Sequence, residues 1–171
     1  IGTTILNSDA KTLEEANALP YEDGTIKDLM IAKIAKIGEK LDFRRLAVIE
    51  KKDDENFGTY LHMGGKIAVV TVVKGANEEV AKDVAMQAAA MRPEYLKKED
   101  VPAEIIEKEK EVLKEQAINE GKPADIAEKM VVGRLNKFYK EVCLEEQAFI
   151  KDSGMSVLDY VKNNGGEVLA M

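Results

Sequence analysis

An α+β fold is what this sequence predicts: a three-stranded antiparallel sheet packed with helices, with an antiparallel helical hairpin (a coiled coil) inserted into it. Three observations carry that expectation. The run Lys66–Lys74 (KIAVVTVVK) is dense in β-branched residues, which suit a pleated, half-buried surface. Two stretches, one from Ile26 and one from Val80, repeat apolar residues at helical spacing. Two further stretches are highly charged, carry only thin apolar stripes, and meet at the turn Asn119-Glu120-Gly121-Lys122-Pro123.

The elements follow in order. Thr12-Leu13-Glu14-Glu15-Ala16 suits a turn or two of helix. Thr25 and Asp28 have the spacing of a capping box, and Ile26, Leu29, Met30, Ile34 and Ile37 form one apolar face of the helix that follows, closed at Gly38. The period then changes. Phe43 to Ile49 reads as a first strand, Phe57 to Met63 as a second and Lys66 to Lys74 as a third, with Gly64-Gly65 as a two-residue turn, so the three form a meander. Asn77 caps the next helix, with Glu78 and Glu79 at the positive end of its dipole. Val80, Val84, Ala88 and Met91 line its face, Ala81, Ala85 and Ala89 let it lie close on the sheet, and Pro93 stops it.

Residues 102–118 form a charged helix striped by Ile105, Ile106, Val112, Leu113 and Ala117. Residues 124–142 form its partner, striped by Ala127, Val131, Leu135, Phe138 and Val142. Each is too polar to be buried all round, so the hairpin projects from the body or pairs with a copy of itself. Cys143 to Lys151 either continues the helix or loops back. Ser156 opens a short helix over Val157–Lys162, ended by Asn163-Asn164-Gly165-Gly166, and Glu167 to Met171 has room for the start of another strand.

Composition excludes more than it names. The 171 residues are 45% hydrophobic, enough for a core, and 33% charged, with a formal net charge of −7. A chain that neutralises phosphates or anionic lipid needs a basic face, so this balance argues against nucleic acid and against membrane surfaces. No stretch approaches the ~20 apolar residues that cross a bilayer. The single cysteine, Cys143, has no partner for an internal disulfide and fits a reducing compartment. With no signal peptide after Ile1, the expected location is cytoplasmic. The missing initiator Met suggests a piece of a longer chain.

Chemistry-bearing patterns are scarce. His62 is the only histidine, with no cysteine beside it, so no metal site is expected. No Gly-x-Ser-x-Gly elbow occurs. Met63-Gly64-Gly65-Lys66 lacks the spacing and the Ser or Thr of a phosphate loop. Pairs such as Glu14-Glu15, Asp53-Asp54 and Glu145-Glu146 suit a solvated acidic surface. Lys108, Lys110 and Lys114 alternate with Glu as a salt-bridged helix face. The expectation is a protein that binds another protein, with no catalytic residue and no cofactor. Tyr60-Leu61-His62-Met63-Gly64-Gly65 is either plain strand and turn or a contact surface, since loops on rigid scaffolds carry recognition.

Four segments then resemble the translation elongation factor Ts family, in the family's order: KIGEKLDFRR (36–45), GTYLHMGGKIAVV (58–70), KGANEEVAKDVAMQAAAMRPEYLKKEDVP (74–102) and NEGKPADIAEKMVVGRLNKFYKEVCLEEQAFIKD (119–152). The resemblance covers roughly residues 24–162. It implies a guanine-nucleotide exchange factor for the GTPase elongation factor Tu, one that binds the GDP form, disturbs the magnesium and phosphate region and lets GDP leave. It implies a core of two related α+β subdomains, the second carrying an inserted helical hairpin that helps some members dimerise. On that pattern residues 1–100 form a core subdomain, 101–142 the dimerisation-type hairpin, and 143–171 a return segment packing on the core. The tip residues Tyr60, His62, Met63, Gly64 and Gly65 would meet the third domain of the GTPase. Ile105, Val112, Leu113, Ala127, Val131, Leu135 and Phe138 would serve a homodimer through the hairpin.

The departures from the family pattern matter. The Thr-Asp-Phe-Val loop, whose Asp and Phe wedge beside the magnesium site of the GTPase, does not occur in this sequence, nor does the Thr-Gly-Ala-Gly motif of the N-terminal module. The family's final segment would follow Met171. The expectation is therefore a C-terminal portion that keeps part of the docking surface and loses the wedge. The alternative is a structural module whose hairpin drives self-association.

Overall fold

The computed structural model describes all 171 residues, which divide into two compact units, Ile1–Glu50 and Lys51–Met171. The first unit holds α1 (Gly2–Leu6), α2 (Leu13–Ala18), a small ribbon of β1 (Pro20–Tyr21) with β2 (Gly24–Thr25), and α3 (Ile26–Ile37). The helix starts are set by side chains. Thr25 Oγ1 accepts from the Asp28 N–H at 3.2 Å while Asp28 Oδ2 accepts from the Thr25 N–H at 2.9 Å, the reciprocal box that the spacing predicted. Thr12 and Glu15 do the same for α2. Gly38 ends α3 at φ 77°, a left-handed conformation that glycine adopts without a Cβ penalty.

One expectation fails here. Phe43 to Ile49 forms no strand, and the meander read from it does not exist. A strand is stable only as part of a ladder, and no segment pairs with this one. Its alternation also buries neither face well, since adjacent Val48 and Ile49 are 47% and 44% exposed. β-Branched composition alone could not supply the missing neighbour.

The second unit is built on β3 (Glu55–His62) and β4 (Ile67–Lys74), paired antiparallel over eight residues, Glu55 opposite Lys74 through His62 opposite Ile67. The third strand is β7 (Glu167–Ala170), from the far end of the chain, antiparallel on the other edge of β4. The sheet is thus three-stranded and antiparallel as expected, with a different third member. α4 (Glu78–Met91), capped by Asn77 through the Val80 N–H, lies across it. Val80, Ala81, Val84 and Ala88 of α4 join Val73, Leu144, Phe149, Val157, Val161 and Val168 in the main core. Met91, expected on this face, lies near the helix end and is exposed.

The helix is held very close to the sheet. A Cβ on Gly58 would come within 1.9 Å of the Ala81 carbonyl oxygen. Thr71, directly opposite Gly58 on β4, donates its hydroxyl to that same oxygen at 2.8 Å. The pair Gly58–Thr71 is therefore a socket for the backbone of α4.

The insertion is α5 (Ala103–Asn119) and α6 (Ala124–Val142), packed on each other. Leu113, Ala117 and Ala127 are buried in the seam, and Lys114–Glu128 (2.8 Å) and Glu120–Arg134 (2.6 Å) bridge its flanks. Such exposed pairs add little stability, so the apolar seam carries most of it. At the base, the Glu94 and Tyr95 N–H groups both donate to Val142 O, and Leu144 and Glu145 return N–H bonds to Tyr95 O and Leu96 O. The chain leaves and re-enters the body at one point.

After Cys143 the chain loops back, as one of the two sequence readings had it. A short ribbon of β5 (Ala148–Phe149) and β6 (Asp152–Ser156) leads into α7 (Val157–Asn163), which is capped by Ser156. Polar side chains clamp this return to α4. Gln87 Nε2 donates to Gln147 Oε1 (3.1 Å) and to Ala148 O (3.2 Å), and Gln87 Oε1 accepts from the Ile150 N–H (2.9 Å). Asp83 accepts from Lys151 Nζ at 2.6 Å and from Tyr160 Oη at 2.9 Å, while the Tyr160 ring stacks on Phe149 at 4.0 Å. No buried side-chain polar atom is left without a partner.

Three outcomes follow from these contacts. Gly58→Ala destabilises the second unit by about 1–3 kcal/mol or more, because the obstacle is backbone and cannot rotate away; a denaturant midpoint close to wild type would contradict the socket. Leu113→Ala costs about 2–3 kcal/mol, whereas exposed Val112→Ala stays within about 0.5 kcal/mol, a contrast that thermal or urea melts resolve. Burial, then the hydrogen bond to Asp83, pushes the Tyr160 hydroxyl up from 10.0 to about 12. The folded state therefore favours the protonated phenol, and the contribution is whole below pH 10 and lost as pH rises from 10 toward 12. Wild type should lose more stability than Tyr160→Phe between pH 9.5 and 11.5, and parallel curves for the two would remove the phenol from the account.

Candidate functional site

The β3–β4 ribbon ends in a tip whose shape follows from pairing. His62 opposite Ile67 is the last rung, so Met63, Gly64, Gly65 and Lys66 form the loop. This is a four-residue connection, where the sequence suggested a two-residue glycine turn. Met63, Gly64 and Gly65 all take positive φ, at 50°, 67° and 88°, followed by Lys66 in the right-handed region. The two glycines supply that conformation without strain, and a Cβ at either would meet nothing within 4 Å, so the space around the tip is open.

The strand period of two sorts the side chains. Tyr60 and His62 share a face with Gly58, the face turned to α4, and their rings stack at 6.0 Å with 29° between planes. Both are half-buried. Leu61 points to the other face, opposite Ala68, with Thr59 and Val70 beside it, and is 70% exposed. Met63 is 62% exposed. The structure places Tyr60, His62, Met63, Gly64 and Gly65 at one tip together with Leu61, which lay inside the tip segment read from the sequence but not among its expected contact residues. The signal was available: alternation along β3 puts Leu61 opposite the Tyr60–His62 pair.

The expected hairpin residues divide between two environments. Leu113 and Ala127 lie in the seam between α5 and α6, and Val131, Leu135 and Phe138 are half-buried. Ile105 and Val112, one heptad apart on α5, are 37% and 40% exposed. The first unit carries an apolar groove of about 470 Å³ lined by Ile5, Leu6, Phe43, Leu46, Val48 and Ile49, which the sequence did not announce.

Nothing about these groups resembles acid–base or nucleophilic machinery. Cys143 is fully buried, and burial followed by repulsion from Glu146 pushes its thiol up to about 11, so the reactive thiolate is disfavoured near neutrality. Burial raises the Glu145 carboxyl, while Lys97 and Lys162 pull it back down. No group of three or more His, Cys, Asp or Glu side chains is arranged to hold a metal ion. No helix is long and apolar enough to cross a membrane. What the surface offers is shape: a ribbon ending in the exposed Leu61 and Met63 beside the half-buried rings of Tyr60 and His62.

Comparison with known proteins agrees with the resemblance. Residues 1–171 match the family described as elongation factor TS. The chain is 46% identical over 168 residues to elongation factor Ts of Limosilactobacillus fermentum, covering 98% of this chain and 58% of that protein. It is 49% identical over 156 residues to elongation factor Ts of Pediococcus pentosaceus, covering 91% of this chain and 53% of the relative. To elongation factor Ts of Lactiplantibacillus plantarum it is 45% identical over 168 residues, again 98% of this chain and 58% of the relative. The chain therefore spans a little over half the length of these curated relatives, and it belongs to the elongation factor Ts family.

Proposed function

We propose that this chain is the docking half of a guanine-nucleotide exchange factor. It binds the GDP form of elongation factor Tu through the β3–β4 tip, in the cytoplasm, and does no covalent chemistry. The observation that supports this most directly is the tip itself. Every buried side-chain polar atom of the fold is satisfied, yet Tyr60, His62 and Met63 are gathered on a stiff ribbon, with Met63 largely in solvent. Family membership supplies the partner.

Exchange requires a difference in affinity between two states of the GTPase. A factor that binds the nucleotide-free form better than the GDP form lowers the cost of losing GDP, and by linkage GDP weakens the factor's own binding by the same ratio. The Thr-Asp-Phe-Val wedge that would discriminate between those states is absent from this sequence. The chain should then dock without much discrimination, giving weak binding and little exchange.

A second reading is self-association through the hairpin. It is favoured by Ile105 and Val112, which present an exposed apolar pair one heptad apart on α5. In that reading the chain meets itself and ignores the GTPase.

One experiment separates these. Elongation factor Tu loaded with fluorescent GDP is titrated with the chain, following complex formation and nucleotide release in the same sample, with sedimentation of the chain alone in parallel. The expected result is saturable micromolar binding with release close to the spontaneous rate. Release at the rate of a full-length relative would refute the docking-only reading. No binding at high micromolar concentration, with a sedimenting dimer, would favour self-association.

A further inference from the structure

Where α7, β7 and the base of the insertion meet, the second unit holds a cavity of about 390 Å³. That volume lies near the lower end of the range for small-molecule sites, roughly 300–1,000 Å³. Its floor is apolar, made of buried Val161 and Val168 with half-buried Leu158. Its rim is charged with both signs. Lys97 and Glu145 come from the base of the insertion, Lys162 from α7 and Glu167 from β7.

These charges do not pair. Elsewhere in the second unit lysines close onto carboxylates: Lys98 reaches Glu146 at 2.8 Å and Lys151 reaches Asp83 at 2.6 Å. The side chains of Lys97, Glu145, Lys162 and Glu167 make no ion pair and no hydrogen bond within the chain. Glu145 is half-buried, so its carboxylate has lost part of its hydration. Burial raises that carboxyl, and the charges of Lys97 and Lys162 lower it without closing on it.

We propose that this cavity binds a free α-amino acid with an aliphatic side chain. The ligand's carboxylate lies between Lys97 and Lys162, its ammonium group faces Glu145 and Glu167, and its side chain covers Leu158, Val161 and Val168. Desolvated charge is costly unless it is paired, and a zwitterion pairs both signs at once. A phosphate or nucleotide would meet two carboxylates at the rim. A fatty acid or a simple amine would leave one sign unanswered. The end residue of a polypeptide carries only one of the two charges, so the ligand is a free amino acid. Because the walls come from distant parts of the sequence, the bound ligand ties α7, β7 and the base of the insertion together. The site is independent of docking to the GTPase.

The test titrates the whole chain with L-leucine, followed by amide NMR, with Tm measured in parallel. Saturable shifts with a Kd of about 1 mM or tighter are expected at the amides of Lys97, Glu145, Gly166 and Val168. At about 20 mM, leucine should raise Tm by about 3–6 °C. Three truncated ligands divide the site: 4-methylpentanoate lacks the amine, isoamylamine lacks the carboxylate and glycine lacks the side chain. Each should bind at least about tenfold more weakly. Lys162→Gln and Glu145→Gln should each weaken leucine about tenfold with little change in the Tm of the free chain, since neither side chain has a partner to lose. Lys129→Gln, an exposed position of α6 outside the cavity, should leave leucine binding unchanged. Shifts that fail to saturate, or that spread over the whole surface, would overturn the site. Equal affinity for 4-methylpentanoate and leucine would refute the zwitterion, as would inorganic phosphate binding more tightly than leucine. Wild-type affinity in both Lys162→Gln and Glu145→Gln would also overturn the assignment.

Discussion

The contact on which the second unit depends is the approach of α4 to β3 and β4 at Gly58. No side chain separates the Ala81 carbonyl from the strand there, and the Thr71 hydroxyl fixes that oxygen at 2.8 Å. An alanine-rich helix face makes the approach possible, because each small side chain lets the axis come nearer the pleat. The consequence reaches the tip. A free two-stranded ribbon is marginal in water, and this one is braced by a helix along its inner face and by β7 on one edge. The brace allows the last rung, His62 opposite Ile67, to form beyond the helix and to present a loop of fixed shape.

The same economy governs the insertion and the return. Because the base of α5 and α6 is laced together through Tyr95, Leu96, Val142 and Leu144, a long helical hairpin can be added without disturbing the core that surrounds Leu144. Lys98 strengthens that base by reaching Glu146 at 2.8 Å and lying over the Tyr139 ring. The hydrogen bond to Glu146 raises the Lys98 ammonium above its ordinary value, the direction expected of a paired cation. The return segment contributes Leu144, Phe149, Val157, Val161 and Val168 to the core, and Gln87 and Asp83 fix its position further by directional bonds. A buried amide with both ends used specifies position in a way that aliphatic packing does not.

How much of this was legible in the sequence depended on how local the cause was. Helix caps are decided within four residues, and Thr25–Asp28, Asn77 and Ser156 all behave as their spacing implies. Amphipathic periodicity found α3, α4 and both hairpin helices for the same reason. The sheet was harder. Phe43–Ile49 has strand composition but no partner, while Glu167–Ala170 is short and unremarkable in composition yet has the free edge of β4 beside it. Pairing is a property of two segments, and one sequence read locally contains only half of it. At the tip, residue types pointed to Tyr60, His62 and Met63, whereas the geometry of alternation was needed to bring Leu61 forward. The polar clamps spanning sixty or more residues, Gln87 with Gln147 and Asp83 with Tyr160, left no local signature at all.

A rigid tip also bears on how an exchange factor divides its work. A finger that meets a surface unchanged between the GDP-bound and empty GTPase binds both states alike, and such uniform binding raises affinity without shifting the equilibrium between them. Acceleration of release must come from a contact made better in the empty state, near the nucleotide. A tip carried on a ribbon packed against α4 suits the first task better than the second. Docking and discrimination are therefore separable in principle. The docking affinity still matters to exchange, since it sets how often the discriminating contact is presented to a GTPase whose nucleotide has yet to leave.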